Sequence, residues 1–430
     1  MKTKFRKAAL AAAVAGVFAG ASGGVQAAAF ALIEQNASGM GNAYAGAAAV
    51  AEDASTIFFN PAGLARLTAP QVVVAGHVVA VSTEFSNSGA STAPTLIGTL
   101  GGNGGDAGDT VFIPNAYFSM PIDERLSIGV GLNAPFGLAT EYDADWVGRF
   151  QGIKSELMTI NVNPTVAYRV NDMVSVGAGI SYQTLDAELT NKVNGAAFGD
   201  FGAEYNAVLE ADDAAWGWNI GALFDVSPTT TIGVSYRSTM DYTLEGSVTV
   251  TSPGGAVVGP ASGAAEADVT LPDMFSVSLV QAINDRLDLL ADVTYTRWSE
   301  IKDIRIIDPA TGATRDTLVL NFDDSYRYSI GVNYKYTDRL MLKAGVAFDE
   351  SPVSDADRTV RLPDDDRTWV ALGGSYRLND RSKLDFGYAH LFVSDVPIDQ
   401  DRGNAAAFGR VVGSYDASID ILSVQYTHNF

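Results

Sequence analysis

Histidine is scarce in this chain, at His77, His390 and His428, and cysteine is absent. Those two residue types carry much of general-base, thiol and zinc chemistry, so little of it is open here. The histidines do not fall at metal-ligand spacing, and no phosphate-cradling loop or paired-carboxylate site stands out. Gly39-x-Gly41 follows no strand and opens no nucleotide fold. No catalytic residue, metal or cofactor is assigned, and an enzyme is not expected. The abundant reactive groups are carboxylates, grouped at Asp323-Asp324, Asp355/Asp357, Asp364-Asp365-Asp366 and Asp399/Asp401. Their oxygens suit hard cations such as Ca²⁺, but EF-hand spacing is absent and solvated loop charge is the simpler reading. With 50 acidic against 28 basic residues, the chain lacks the basic patch a nucleic acid needs.

What must position these groups is announced at the N-terminus. Lys2, Lys4, Arg6 and Lys7, an apolar run from Ala8 to Gly20, and Val25-Gln26-Ala27 read as a secretory signal over residues 1–27. The apolar run is too short for a membrane anchor. Its removal takes the net charge from −22 to about −26. Downstream, no run of about 18 apolar residues would make a helical span, yet hydrophobic residues make up nearly half the chain.

Those residues alternate. In Tyr326–Asp338, the even positions Tyr326, Tyr328, Ile330, Val332, Tyr334 and Tyr336 are apolar or aromatic. The odd positions Arg327, Ser329, Gly331, Asn333 and Lys335 are polar or small. A strand sends successive side chains to opposite faces, so one face is oily and the other wet. The pattern recurs at Leu126–Leu132, Val174–Tyr182, Ile232–Tyr236, Leu340–Phe348, Val370–Leu378 and Leu384–Phe392, and it puts His390 and His428 on the oily face. Glycine is frequent on the polar face, which a soluble sheet core would use less often. An outer-membrane barrel, with aromatics at the interfaces and a polar lumen, explains both faces.

Short turns are predicted at Pro121–Glu124, Asn171-Asp172, Ser227–Thr229, Asn284-Asp285, Thr337-Asp338 and Asn379-Asp380. Longer loops fall between them, at about Asn87–Asp109, Glu141–Ile153, Asn191–Ala214, Thr251–Leu271, Asp308–Thr317, Ser351–Asp366 and Val396–Gly409. Six short turns and two chain ends bound seven hairpins, hence an all-β transmembrane barrel of about 14 antiparallel strands over residues 68–430. The final strand carries Leu422, Val424, Tyr426, His428 and Phe430 on one face, which resembles the signal read by barrel-insertion machinery. A monomer in contact with outer-membrane lipid and lipopolysaccharide is expected.

Residues 28–67 do not alternate. They are rich in Ala and Gly and read as short helical turns, a small N-terminal helical hatch plugging the lumen. Phe30-Ala31-Leu32, Ser38-Gly39-Met40-Gly41-Asn42-Ala43-Tyr44-Ala45-Gly46, Ala51–Ala54 and Asn60-Pro61-Ala62-Gly63-Leu64 resemble the hatch of the FadL family of outer-membrane transporters for long-chain fatty acids and other hydrophobic compounds. Gly129–Leu138 and Trp146–Phe150 extend the resemblance. It implies capture of ligand in an outer loop groove, an inner pocket, a hatch shift and lateral release through the wall.

The resemblance directs attention to three places. Phe198, Phe201, Tyr205, Val208 and Leu209 put large apolar side chains in a predicted outer loop, as a capture groove or as loops packed on one another. Asn133-Ala134-Pro135-Phe136-Gly137 interrupts a strand where proline removes a ladder donor. The resemblance implies an inward kink there that abuts the Asn60-Pro61-Ala62 segment of the hatch, with a plain strand end as the alternative. Phe30, Asn60, Pro61 and Ala62 are the gate residues, although Asn-Pro also suits a capped turn. For a fatty acid, candidate lumenal cations are Arg149, Lys154, Arg237, Arg327, Lys335 and Arg377, each of which could instead balance a carboxylate such as Asp292 or Asp385. Glu52 and Asp53 are expected to be solvated or paired with lumenal cations. Long-chain fatty acid is the first substrate expectation, aromatic or aliphatic hydrocarbon the second. A general porin is a more distant alternative, and a structural barrel or adhesin is another.

Overall fold

The computed structural model describes residues 29–92 and 100–430. The expected signal segment lies outside the described residues. Fourteen strands are joined by short turns at one end and longer loops at the other. They are β1 Gln71–Asn87, β2 Thr110–Pro121, β3 Leu126–Asn133 continued by Gly137–Glu141, β4 Lys154–Arg169, β5 Val174–Asn194 and β6 Glu204–Ser227. Next come β7 Thr230–Arg237 with Met240–Thr251, β8 Gly263–Leu271 with Met274–Asn284, and β9 Leu287–Thr296 with Asp303–Ile307. The circuit ends with β10 Thr314–Val319 with Ser325–Lys335, β11 Leu340–Asp349, β12 Arg367–Asn379, β13 Ser382–Val393 with Val396–Gln400, and β14 Val411–Asn429.

Each strand is antiparallel to its neighbour, and β14 returns to β1 from Gln71↔Asn429 to Asn87↔Gly413. Closure removes the free sheet edges that a bilayer would not tolerate. The alternation decides which way each strand faces. On β10, Tyr326, Tyr328 and Ile330 are exposed while Arg327, Ser329 and Asn333 are buried in the lumen. All six short turns fall between the strands where they were read.

The longest predicted loop is a correction. Asn191–Ala214 is mostly ladder, because β5 and β6 stay paired from Val174↔Phe224 out to Asn194↔Glu204. Small or apolar Ala187, Leu189, Leu209 and Ala211 alternate there with charged and polar neighbours. The pairing register therefore persists beyond the membrane, and only residues 195–203 form the tip.

Inside the barrel lie short helical turns at Met40–Asn42, Ala47–Val50, Thr56–Phe59 and Pro61–Arg66. The lumen-facing glycines are where these turns meet the wall. A Cβ at Gly345 would lie 2.2 Å from Asn42 carbonyl carbon and oxygen, and one at Gly41 would lie 2.7 Å from Gly373 Cα. Backbone therefore packs directly on backbone, leaving no room for a side chain. Gly345→Leu is expected to leave the barrel inserted but loosen the plug, read as faster amide exchange at Met40–Asn42 than in the wild type.

Candidate functional site

Above the plug, the outer halves of the strands enclose a cavity of about 430 Å³. Leu157, Leu185, Leu209, Leu244 and Val269 line it from β4 to β8, with Phe30 and Phe322 at its floor. These strand residues hold lumen parity, yet they are apolar. Deeper on the same face the wall carries Asn161, Ser181 and Asn219 instead. The switch from polar to apolar along one face is the signal that sequence reading missed.

The floor is a cluster of four rings. Phe30 stands 4.8 Å from Trp298, and Phe136 and Phe322 lie 6.2 and 5.8 Å from the same indole. Below it, a smaller space of about 100 Å³ is lined by Leu32, Ile33, Phe58 and Phe59 of the plug and by Arg237, Arg327, Asp292 and Asp349 of the wall.

The rings bring the plug and the β3 interruption together. Between Asn133 and Gly137 the strand breaks, and its ladder to β2 ends at Ala116↔Leu132. Its upper half pairs only with β4. The freed carbonyls are taken up by the plug. Leu32 N–H donates to Pro135 O at 2.8 Å, and Gln35 Nε2 donates to Ala134 O at 2.8 Å. In return, Gly137 N–H donates to Phe30 O at 2.9 Å.

The expected contact between this break and Asn60-Pro61-Ala62 is not made. Asn60 Oδ1 accepts from Ala62 N–H, and its Nδ2 donates to Ala48 O and Ala222 O at 2.7 and 3.0 Å. Pro61 opens the following helical turn. The triplet seats on β5 and β6, where a Cβ at Gly177 would lie 2.4 Å from Ala62 N and one at Gly221 2.0 Å from Asn60 Oδ1. A capped turn has no spare donors for a distant bend, whereas the extended segment at Phe30–Gln35 does.

The five residues of the expected groove do not form one surface, although the Phe198 and Tyr205 rings pack 4.7 Å apart. Phe198 and Phe201 sit at the hairpin tip, Tyr205 turns inward against Ala207 and Val250, and Val208 faces the side of β6 opposite Leu209. Leu209 alone among them lines the cavity.

Arg149 is held by both Glu204 oxygens, at 2.7 and 3.0 Å. Lys154 bridges Glu156 and Glu188. Arg237 donates to Phe58 O, and Arg327 donates to Ala43 O and lies 4.0 Å from Asp349. Lys335 and Arg377 line the opposite, periplasmic mouth. Asp385 is balanced by Lys383 at 3.3 Å, while Asp292 is held by Ser278 and Thr294 hydroxyls. Of the acidic loop groups expected to be solvated, Asp364 is instead buried against Arg367 and Asp365 is largely covered against Arg358, whereas Asp355 and Asp399 pair with Arg358 and Arg410 and stay 73% and 57% exposed. Arginine forks satisfy carboxylates that would otherwise repel one another across packed loops.

One cation facing the cavity was not anticipated. Arg361, on the loop after β11, is buried and donates to Lys154 O and Ser155 Oγ, both at 3.0 Å. Its Nε has no partner, and among the described residues no carboxylate pairs with it. Burial, with help from Arg402, pushes its pKa down to about 10, so it stays charged at neutral pH.

The family model described as "Outer membrane protein transport protein (OMPP1/FadL/TodX)" matches residues 18–430. The chain belongs to this family. It is 31% identical over 404 residues to outer membrane protein P1 of Haemophilus influenzae, covering 86% of this chain and 87% of that one. It is 28% identical over 451 residues to the long-chain fatty acid transport protein of Escherichia coli O157:H7, covering 95% and 98%. Among solved structures, a Pseudomonas aeruginosa FadL homologue superposes with a TM-score of 0.86 at 24% identity, covering 94% of this chain and 100% of that one. The Ralstonia pickettii toluene transporter TbuX superposes at 0.67 with 19% identity, covering 93% and 100%. The OMPP1/FadL/TodX assignment makes this a bacterial outer-membrane transporter of hydrophobic compounds, and the family is one of transport proteins rather than enzymes.

Proposed function

We propose that the chain takes up amphipathic acids, long-chain fatty acids first among them, by holding the tail in the leucine-lined cavity and the carboxylate at Arg361. The observation that carries this reading is a buried guanidinium facing an apolar space without a carboxylate of its own. Charge-assisted hydrogen bonds to a ligand oxygen would complete it. The relative named for long-chain fatty acids supports the same substrate class. Phe30 and Phe136 then act as the gate, and the bend in β3 as the lateral way out. Aromatic hydrocarbon is the second reading, favoured by the four-ring floor, which suits flat apolar solutes.

Binding to purified protein separates the two. Arg361→Met is expected to weaken oleate about tenfold or more, while leaving a long-chain alcohol and toluene unchanged. Equal losses for oleate and the alcohol would remove the acid from the proposal.

A further inference from the structure

Several ladders of the barrel wall are interrupted besides that of β3, and one interruption lies three strands from its bend. β6 and β7 pair from Asn219↔Arg237 to Ser227↔Thr230, and again from Asn206↔Thr251 to Asp212↔Glu245. Between these runs, residues 213–218 of β6 face residues 238–244 of β7 with no ladder pair and one backbone hydrogen bond, from Ser238 N–H to Trp218 O at 2.9 Å, so the backbone of residues 213–217 lacks its β7 partners. Backbone left unpaired at a membrane wall is costly and is tolerated where it borders a cavity. Side chains supply further bonds at the two ends of the gap. Thr243 N–H donates to Asp213 Oδ2 at 2.8 Å, and Trp218 N–H donates to Ser238 Oγ at 2.9 Å.

The middle of the gap is closed by packing alone. A Cβ at Gly217 would lie 2.6 Å from Met240 Sδ and 2.8 Å from its Cε, so the thioether lies flat on bare backbone. Met240 is buried, and its inner side belongs to the apolar cluster of Leu185, Leu244, Leu271 and Trp298 that borders the upper cavity. On the outer side stand Trp216 and Trp218, 69% and 47% exposed, packed against Tyr182 and Tyr236. Exposed indoles with Glu210 and Asp212 just beyond them mark the outer lipid–water boundary.

The geometry points to a lateral port between β6 and β7, stoppered by Met240, through which apolar solutes dissolved in the outer leaflet reach the upper cavity without passing the loops. Methionine is unbranched and has three rotatable bonds, so it can leave the gap by a rotamer change with no strand movement. The port faces the outer boundary and needs no charge on the solute. It is therefore independent of Arg361 and of the exit at β3.

The chain has no cysteine, so Gly217→Cys with Met240→Cys places one removable crosslink across the gap. Uptake of the apolar dye N-phenylnaphthylamine by cells carrying the full chain is the readout, with disulfide formation followed by gel mobility. The oxidised form should take up dye several-fold more slowly than the reduced form, and Met240→Ala should exceed the wild type. Equal rates for the oxidised and reduced forms would overturn the port. So would a Met240→Ala protein that inserts normally and takes up dye no faster than the wild type.

Discussion

Straightening the bend in β3 is expected to reduce ligand delivery to background while leaving a folded barrel that still binds. Pro135 supplies no N–H, and the strand on either side of it cannot share one ladder with β2. Pro135→Val restores the donor and the extended preference. β3 could then continue along the stretch of β2 from Thr110 to Asn115 that now has no β3 partner. Doing so removes the Ala134 and Pro135 carbonyls from Gln35 and Leu32, and with them the tie between plug and wall. Labelled oleate uptake in cells, set against equilibrium binding to purified protein, separates delivery from capture. Normal uptake by a correctly folded Pro135→Val protein would dispose of the lateral route at this position.

The second large effect concerns what holds the plug in place. Glu52 Oε1 lies 2.6 Å from Lys343 Nζ, and Lys383 Nζ lies 3.6, 3.4 and 3.3 Å from Glu52, Asp53 and Asp385. Lys343 and Asp53 are almost wholly buried. Removing one member of such a pair leaves an uncompensated charge, at a cost of about 3–5 kcal/mol in buried examples and less for the partly exposed Glu52. Lys343→Met with Lys383→Met is expected to free the plug and produce steady ion currents in planar bilayers, where the wild type is expected to pass almost none. A silent double variant with wild-type uptake would show that the pairs do not hold the plug.

Acid should mimic that substitution. Burial alone would raise Glu52 and Asp53, but Lys343 and Lys383 for the first, and Lys383 with the Ser55 hydroxyl for the second, hold both below the usual carboxylate range. Carboxylates depressed in the folded state contribute their stability above the ordinary value and lose it as pH falls through the lowered one. The plug should therefore stay seated at neutral pH, with conductance rising only below about pH 4.

The barrel was legible because its rule is local. Tyr326–Asp338 alternates whatever its neighbours do, and a turn such as Asn284-Asp285 marks a strand end by its own chemistry. The cavity was not, because Leu157, Leu185 and Leu244 become a pocket only when the pairing registers of β4, β5 and β7 bring them to one level. The same limit hid Arg361, which sits in a loop where parity says nothing. The hairpin tip misled for a related reason. Phe198 and Phe201 look like a binding surface by composition, but the strands beneath them run on past the membrane and carry both rings away from the lumen. The Asn60 triplet shows a different gap, since its motif specifies a capped turn and not what that turn touches.

The seat made by Gly345 and Gly373 has a consequence for the order of assembly. It admits backbone only, and it lies inside a tube that β14 seals against β1. A segment that fits so closely has no way through a finished tube, so it must come to rest on β11 and β12 while the sheet is still open. Sealing would then be the last act of insertion, with the first residues already enclosed. A synthetic peptide of residues 29–67 offered to a preformed barrel lacking them should accordingly fail to bind.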